Sequence, residues 1–217
     1  MRTWDVKTDY QKLLDKEIDA IGISGIRPRL LLHSCCGPCS SYVLEYLSCF
    51  FDISVFYYNP NIYPPEEYEK RLSEQKRLIK EMRFPGAVDI IHAEYKPEDF
   101  YTAVEGLENE PEGGARCAKC FEIRLDETAR MARELSFDYF TTTLSVSPHK
   151  NTEILNEIGQ KAGKKYGVRY LFADFKKKNG YKRSIELARE YGIYRQNYCG
   201  CEFSLRAGIV WKNEHSL

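Results

Sequence analysis

The chain has no excess of charge of either sign: its 217 residues carry 32 lysines and arginines against 32 aspartates and glutamates. Net charge therefore points to no partner, neither nucleic acid nor membrane surface. No apolar run comes near the roughly eighteen residues of a membrane span. The start, Met1 to Lys7, lacks the apolar core of a secretory signal. Internal repeats and low-complexity tracts are missing too. Together these absences lead to the expectation of a cytoplasmic, reducing setting with no membrane partner. What the chain does have is eight cysteines. In a reducing compartment these read as metal ligands or redox groups rather than a disulfide framework.

Apolar spacing at Leu13, Leu14, Ile18 and Ile21 predicts a helix over residues 8–21 that stops at Gly22. Strands are expected at Leu30–Leu32, Asp52–Tyr58, Val88–His92, Phe137–Leu144 and Arg169–Phe172. Helices alternate with them, at about 66–82, 97–104, after the turn 110–116, at 152–165, and from about Arg183 to Tyr191. Strand–helix alternation of this kind gives a doubly wound, mostly parallel α/β sheet. The expected organisation is an N-terminal helical extension over 1–28 and a single α/β domain over 29–217 that carries the cysteine site.

The stretch Leu30 to Ser40 organises the rest. A buried strand enters Ser34-Cys35-Cys36-Gly37-Pro38-Cys39, which turns into a helix. In an open α/β sheet such a turn lies at the carboxyl end of a strand, where ligands bind, and helix-start N–H groups favour thiolate. Cys117-Ala118-Lys119-Cys120 supplies two more sulfurs at another helix start. Cys35, Cys36, Cys117 and Cys120 suffice for one four-thiolate site. The vicinal spacing of the first pair favours iron–sulfur over structural zinc, which stays open. Cys36-Gly37-Pro38-Cys39 also spells a thioredoxin-type active site, but that reading leaves Cys35, Cys117 and Cys120 without a role. Cys39 itself is open to a second metal or to redox exchange. Cys199-Gly200-Cys201 would close a very small, strained disulfide ring, which suits a redox pair; two further metal ligands are the alternative. Cys49 and His33 read as core residues.

His33 to Ser40, Arg116 to Phe121, and Tyr198 to Cys201 resemble the motifs of the QueH-type epoxyqueuosine reductases, over about residues 29–205. The resemblance implies reduction of epoxyqueuosine to queuosine at the wobble base of tRNA, without cobalamin. It also implies a fold like the PP-loop ATPases of the HUP type, although Cys35-Cys36 stands where those proteins have a phosphate-cradling Ser-Gly-Gly. By the family pattern, Cys35, Cys36, Cys117 and Cys120 hold a 4Fe-4S cluster, with an additional iron ion beside it as a further option. Cys199 and Cys201 form the redox-active disulfide, and an unidentified electron donor is required. For the tRNA partner the sequence offers a basic run, with Lys176, Lys177, Lys178, Lys182 and Arg183 as the candidate residues. Tyr170, Phe175 and Tyr181 lie among them as rings for an unstacked base. Ser147, His149, Lys150 and Asn151 follow the fourth strand and are expected to face the same crevice.

Overall fold

A computed structural model describes residues 8–215, with side chains to residue 208. The first seven residues of the expected 1–28 extension, and the last two of the 29–217 unit, lie outside the described residues. Five strands, β1 (Arg29–His33), β2 (Asp52–Tyr57), β3 (Val88–His92), β4 (Tyr139–Thr142) and β5 (Arg169–Tyr170), form one sheet in the order β3-β2-β1-β4-β5. Every pairing is parallel. The doubly wound α/β expectation is met.

β1 is the centre of both the sheet and the core. Leu30, Leu31 and Leu32 are each fully buried. Alternation sends Leu30 and Leu32 to one face, where they pack with helix α1 (Tyr10–Ser24) and helix α2 (Gly37–Leu47). Leu31 faces the other side, against α5 (Ala115–Glu134) and α6 (Thr152–Tyr166). Each such leucine contributes about 1.5–3 kcal/mol by leaving water. The remaining helices are α3 (Pro65–Glu81), α4 (Pro97–Ala103), α7 (Gly180–Glu190) and α8 (Glu202–His215). α8 follows Cys201 directly and was not expected from the sequence.

Several boundaries differ from expectation for local reasons. α1 runs through Gly22, which is exposed and meets nothing, and stops at Gly25, whose φ of +66° closes the helix in the left-handed region. β4 ends two residues early because the Thr142 hydroxyl accepts from Leu144 N–H at 3.2 Å and turns the chain into a 3-10 turn at Thr143–Val146. β5 pairs over only two residues.

Strand order reverses between β1 and β4. The crevice at that switch point is bounded by the turn after β1 and the loop after β4, so the fold itself puts Cys35 and Lys150 on facing walls.

Candidate metal centre

The turn after β1 is clamped from three sides. Ser34 N–H donates to Phe56 O at 3.1 Å, and Asn59 Nδ2 donates to Ser34 O at 2.8 Å. The Ser34 and Ser40 hydroxyls both donate to Gln75 Oε1, at 3.0 and 2.7 Å. Cys36 is the extended residue before α2, and Ser40 N–H bonds its carbonyl at 3.2 Å. Cys36 and Cys39 then share one helix side, and Cys35 folds back beside them. The sulfurs of Cys35, Cys36 and Cys39 all lie within 4.8 Å of one another, the Cys35–Cys36 pair at 3.7 Å. Thiol hydrogens from Cys35 and then Cys39, with the Arg71 charge behind them, hold the Cys36 sulfur well below the ordinary thiol range. A group of three such sulfurs is able to bind a metal.

Cys117 and Cys120 lie in the first turns of α5. Cys117 packs against the cluster that contains Cys35 and Cys36, and its sulfur accepts from Gly113 N–H at 3.2 Å. Cys120 is buried beside Cys201, Phe100 and Val104, and burial pushes its thiol up to about 12. The structure thus brings Cys39 closer to Cys35 and Cys36 than the sequence-expected C-x-x-C pair.

Three cations surround these sulfurs. Arg71 on α3 is 1% exposed; its Nε pairs with Glu67 at 2.7 Å and its Nη1 reaches Cys199 O at 3.4 Å. Arg124 on α5 is 2% exposed, and its Nε donates to Cys120 O at 3.0 Å. One terminal nitrogen of each guanidinium is buried without a partner. Burial, the largest single influence, would loosen both protons, yet the surrounding anionic groups, led by Cys36 for Arg71 and by Cys120 for Arg124, together outweigh it, so both bind their protons more tightly than usual. An isolated buried charge is costly. These guanidinium groups therefore fit an anionic thiolate centre. Lys150, from the loop after β4, donates to Cys199 Sγ at 2.7 Å and lies 3.9 Å from Glu112.

Cys199 and Cys201 flank Gly200, whose φ of +131° suits glycine; a Cβ there would sit 3.0 Å from the Arg71 guanidinium. Cys199 N–H donates to Ser204 Oγ at 3.0 Å, and Ser204 N–H approaches Cys201 Sγ at 3.4 Å. No disulfide joins the two sulfurs. A cleft of about 690 Å³ is lined by Cys35, Cys39, Glu112, Lys150, Tyr181 and Cys199, among others.

His33 is fully buried and both ring nitrogens are engaged, Nδ1 with the Thr142 hydroxyl at 2.9 Å and Nε2 with Tyr58 O at 3.2 Å. Burial, followed by the Arg124 charge, pushes its pKa down to about 3, so it is a neutral structural residue.

Other expectations are corrected. Cys49 is exposed, because α2 ends at Leu47 and leaves it in the following turn. Phe175 is 1% exposed in the core, and Tyr170 packs on Phe140 and Phe172, so neither offers a ring to a base. Of the three, Tyr181 lines the cleft. Ser147, His149 and Lys150 do face it, while Asn151 caps α6 through the N–H groups of Glu153 and Ile154. Acids meet the basic run, one local and two from distant helices: Lys176 pairs with Asp174 at 2.7 Å, Lys178 with Asp15 at 2.6 Å and Arg183 with Glu45 at 2.6 Å. Lys182 reaches Glu186 only at 4.0 Å, and Lys177 is exposed.

Sequence reading missed Arg71, Arg124 and Glu112. Arg124 had a signal: it stands one turn after Cys120, next to Leu125 and Thr128, on the stripe that α5 buries. A charged residue on a buried stripe needs an anion. Arg71 and Glu112 gave none.

Comparison with known proteins agrees with this geometry. Residues 30–207 match the family profile described as "Epoxyqueuosine reductase QueH". A Streptococcus pyogenes protein of that name is 44% identical over 202 residues, covering 92% of this chain and 79% of its own. A Staphylococcus aureus protein of the same name is 45% identical over 211 residues, covering 95% and 88%. One from Thermotoga maritima is 38% identical over 182 residues, covering 81% and 90%.

Proposed function

The chain belongs to the QueH family of epoxyqueuosine reductases, and from that premise we propose how its thiol-lined cleft carries out the reaction. It is an oxidoreductase of queuosine biosynthesis that acts on tRNA. The observation that carries the reading is the set of three sulfurs within 4.8 Å, beside two buried arginines with unpartnered nitrogens.

In this reading Cys35, Cys36, Cys117 and Cys120 would hold a 4Fe-4S cluster, and Cys39 would be a ligand for an additional iron ion. When bound, such a centre supplies single electrons, and an iron with an open position polarises an oxygen as a Lewis acid. Arg71 and Arg124 balance the negative charge of the sulfurs. Cys199 and Cys201 are the dithiol. Oxidising it to a disulfide releases two electrons and two protons; an epoxide that takes up both becomes an alkene and water. The wobble position is the site of reaction, no cobalamin takes part, and an external electron donor restores the dithiol. Tyr181 and the exposed Arg195 stand on the cleft wall where a base extruded from tRNA would enter. Lys176, Lys177, Lys178, Lys182 and Arg183 form an outer, largely paired contact to the tRNA backbone. The setting is cytoplasmic and the fold PP-loop-like. Among the described residues no helix is long and apolar enough to cross a membrane.

The test is metal analysis together with turnover of epoxyqueuosine-bearing tRNA. Anaerobically prepared protein is expected to contain iron and sulfide, and Cys36→Ser or Cys117→Ser to lose both. Cys199→Ser and Cys201→Ser are expected to keep wild-type iron yet stop after at most one turnover. Loss of iron from either of the latter overturns the dithiol assignment.

A further inference from the structure

Cys199 and Cys201 are one residue apart and sit in opposite surroundings. Cys201 is 7% exposed and packs with Phe100, Val104 and Cys120; the polar hydrogen at its sulfur is the Ser204 N–H, at 3.4 Å. Cys199 lies on the cleft wall, with the Lys150 ammonium at 2.7 Å. The Lys150 side chain is only 9% exposed. A buried ammonium needs an anion. Its carboxylate neighbour, Glu112, is 3.9 Å away and half exposed, so the nearer partner is sulfur. A neutral thiol is a weak acceptor, whereas a thiolate satisfies the ammonium.

The backbone that presents Lys150 is fixed. Asn151, the next residue, caps α6, and Lys150 N–H bonds Ser147 O at 3.2 Å. Cys199 is fixed as well, by its N–H to Ser204 Oγ and its carbonyl to Arg71. The contact therefore joins two held segments, not two free side chains.

We propose that Lys150 is a positioning residue that holds the Cys199 sulfur at the cleft wall as the reactive thiolate of the redox pair. The inference rests on the redox-pair reading above. The Cys199 proton leaves to solvent through the cleft and the ammonium keeps its own, so oxidising the pair supplies two electrons and one proton. The second proton that the epoxide needs returns from solvent by the same path. Arg71 from α3 and Arg124 from α5 face the same sulfur region and reinforce the thiolate, while Glu112, Cys120 and Cys201 oppose it. Burial, the largest single influence, would loosen the Lys150 proton, but the charge of Cys199, its hydrogen bond and the Glu112 carboxylate together outweigh it and Lys150 is held protonated. The pair is thus asymmetric, with its reactive sulfur on the cleft side and its partner in the core.

The experiment is pH-resolved alkylation of anaerobically prepared, phosphine-reduced protein with iodoacetamide, from about pH 5 to about pH 10. Peptide mass spectrometry reads each cysteine. At neutral pH Cys199 is expected to label faster than Cys201. In Lys150→Met the Cys199 rate at neutral pH is expected to fall about tenfold and its profile to move to higher pH, while Lys150→Arg retains most of the wild-type rate. An unchanged Cys199 profile in Lys150→Met, or an equal loss in Lys150→Arg, overturns the proposal. If Lys150→Met fails to fold, Glu112→Gln replaces it. Removing that carboxylate is expected to raise the Cys199 rate about twofold, and no rise overturns the proposal. Labelling of wild-type Cys199 only as iron is released would overturn the redox-pair reading itself, and the iron assay tells that failure apart.

Discussion

Lys176, Lys177, Lys178, Lys182 and Arg183 lie together in the chain, whereas Arg71, Arg124 and Lys150 come from three separate segments. In the fold the relation inverts. The contiguous run spreads over the surface, where α1 and α2 supply Asp15 and Glu45 as partners. The three scattered cations converge on sulfur, and each is nearly or wholly buried. Exposed pairs in water are worth about 0–1 kcal/mol, while a buried cation stripped of its anion costs several. Proximity in sequence is therefore a poor guide to where positive charge acts here, and burial is the better one.

The largest effect that tests this contrast is on metal content. Arg124→Met removes a buried cation beside Cys120 and Cys35, and bound iron is expected to fall at least about tenfold, with Arg183→Met unchanged. Equal iron in the two variants, measured after anaerobic preparation, would break the comparison.

A buried group that carries no charge sharpens it. His33 titrates at about 3 in the fold and near its ordinary 6.5 when unfolded. Below pH 6.5 the unfolded chain takes up the proton and the folded one does not, so stability is lost as pH falls from 6.5 toward about 3. Between about pH 7.5 and about pH 5.5 wild type is expected to lose about 1.4 kcal/mol more than His33→Asn. Denaturant unfolding at the two pH values measures it, and equal losses would mean that His33 is charged in the fold.

The smallest effect belongs to the surface run. Lys177→Gln with Lys182→Gln is expected to weaken tRNA binding by about threefold and flatten its salt dependence, without touching iron. Unaltered affinity and salt slope would leave the run as solvated surface.

Short-range patterns were readable in the sequence because covalent spacing enforces them. Leu30 to Leu32 announced a buried parallel strand, Cys36 and Cys39 share a helix side at i,i+3, and Gly200 permits the turn between Cys199 and Cys201. The family motifs are of the same local kind. Where Gly22 and Cys49 misled, the reason was equally local: glycine is tolerated inside an exposed helix, and a helix that stops a few residues early turns a core position outward.

The sequence by itself determined the order of strands and helices as far as Cys201, the sulfur-bearing turns and the chemistry those sulfurs allow. Only the tertiary structure decided which charges meet them. Arg71 reaches the Cys199 carbonyl and Lys150 the Cys199 sulfur across long stretches of chain, and Asp15 and Glu45 silence Lys178 and Arg183 in the same way. The physical reason is that an ionic partner is selected by distance and desolvation in space. Periodicity along the chain carries neither quantity, and the strand reversal between β1 and β4 supplies both.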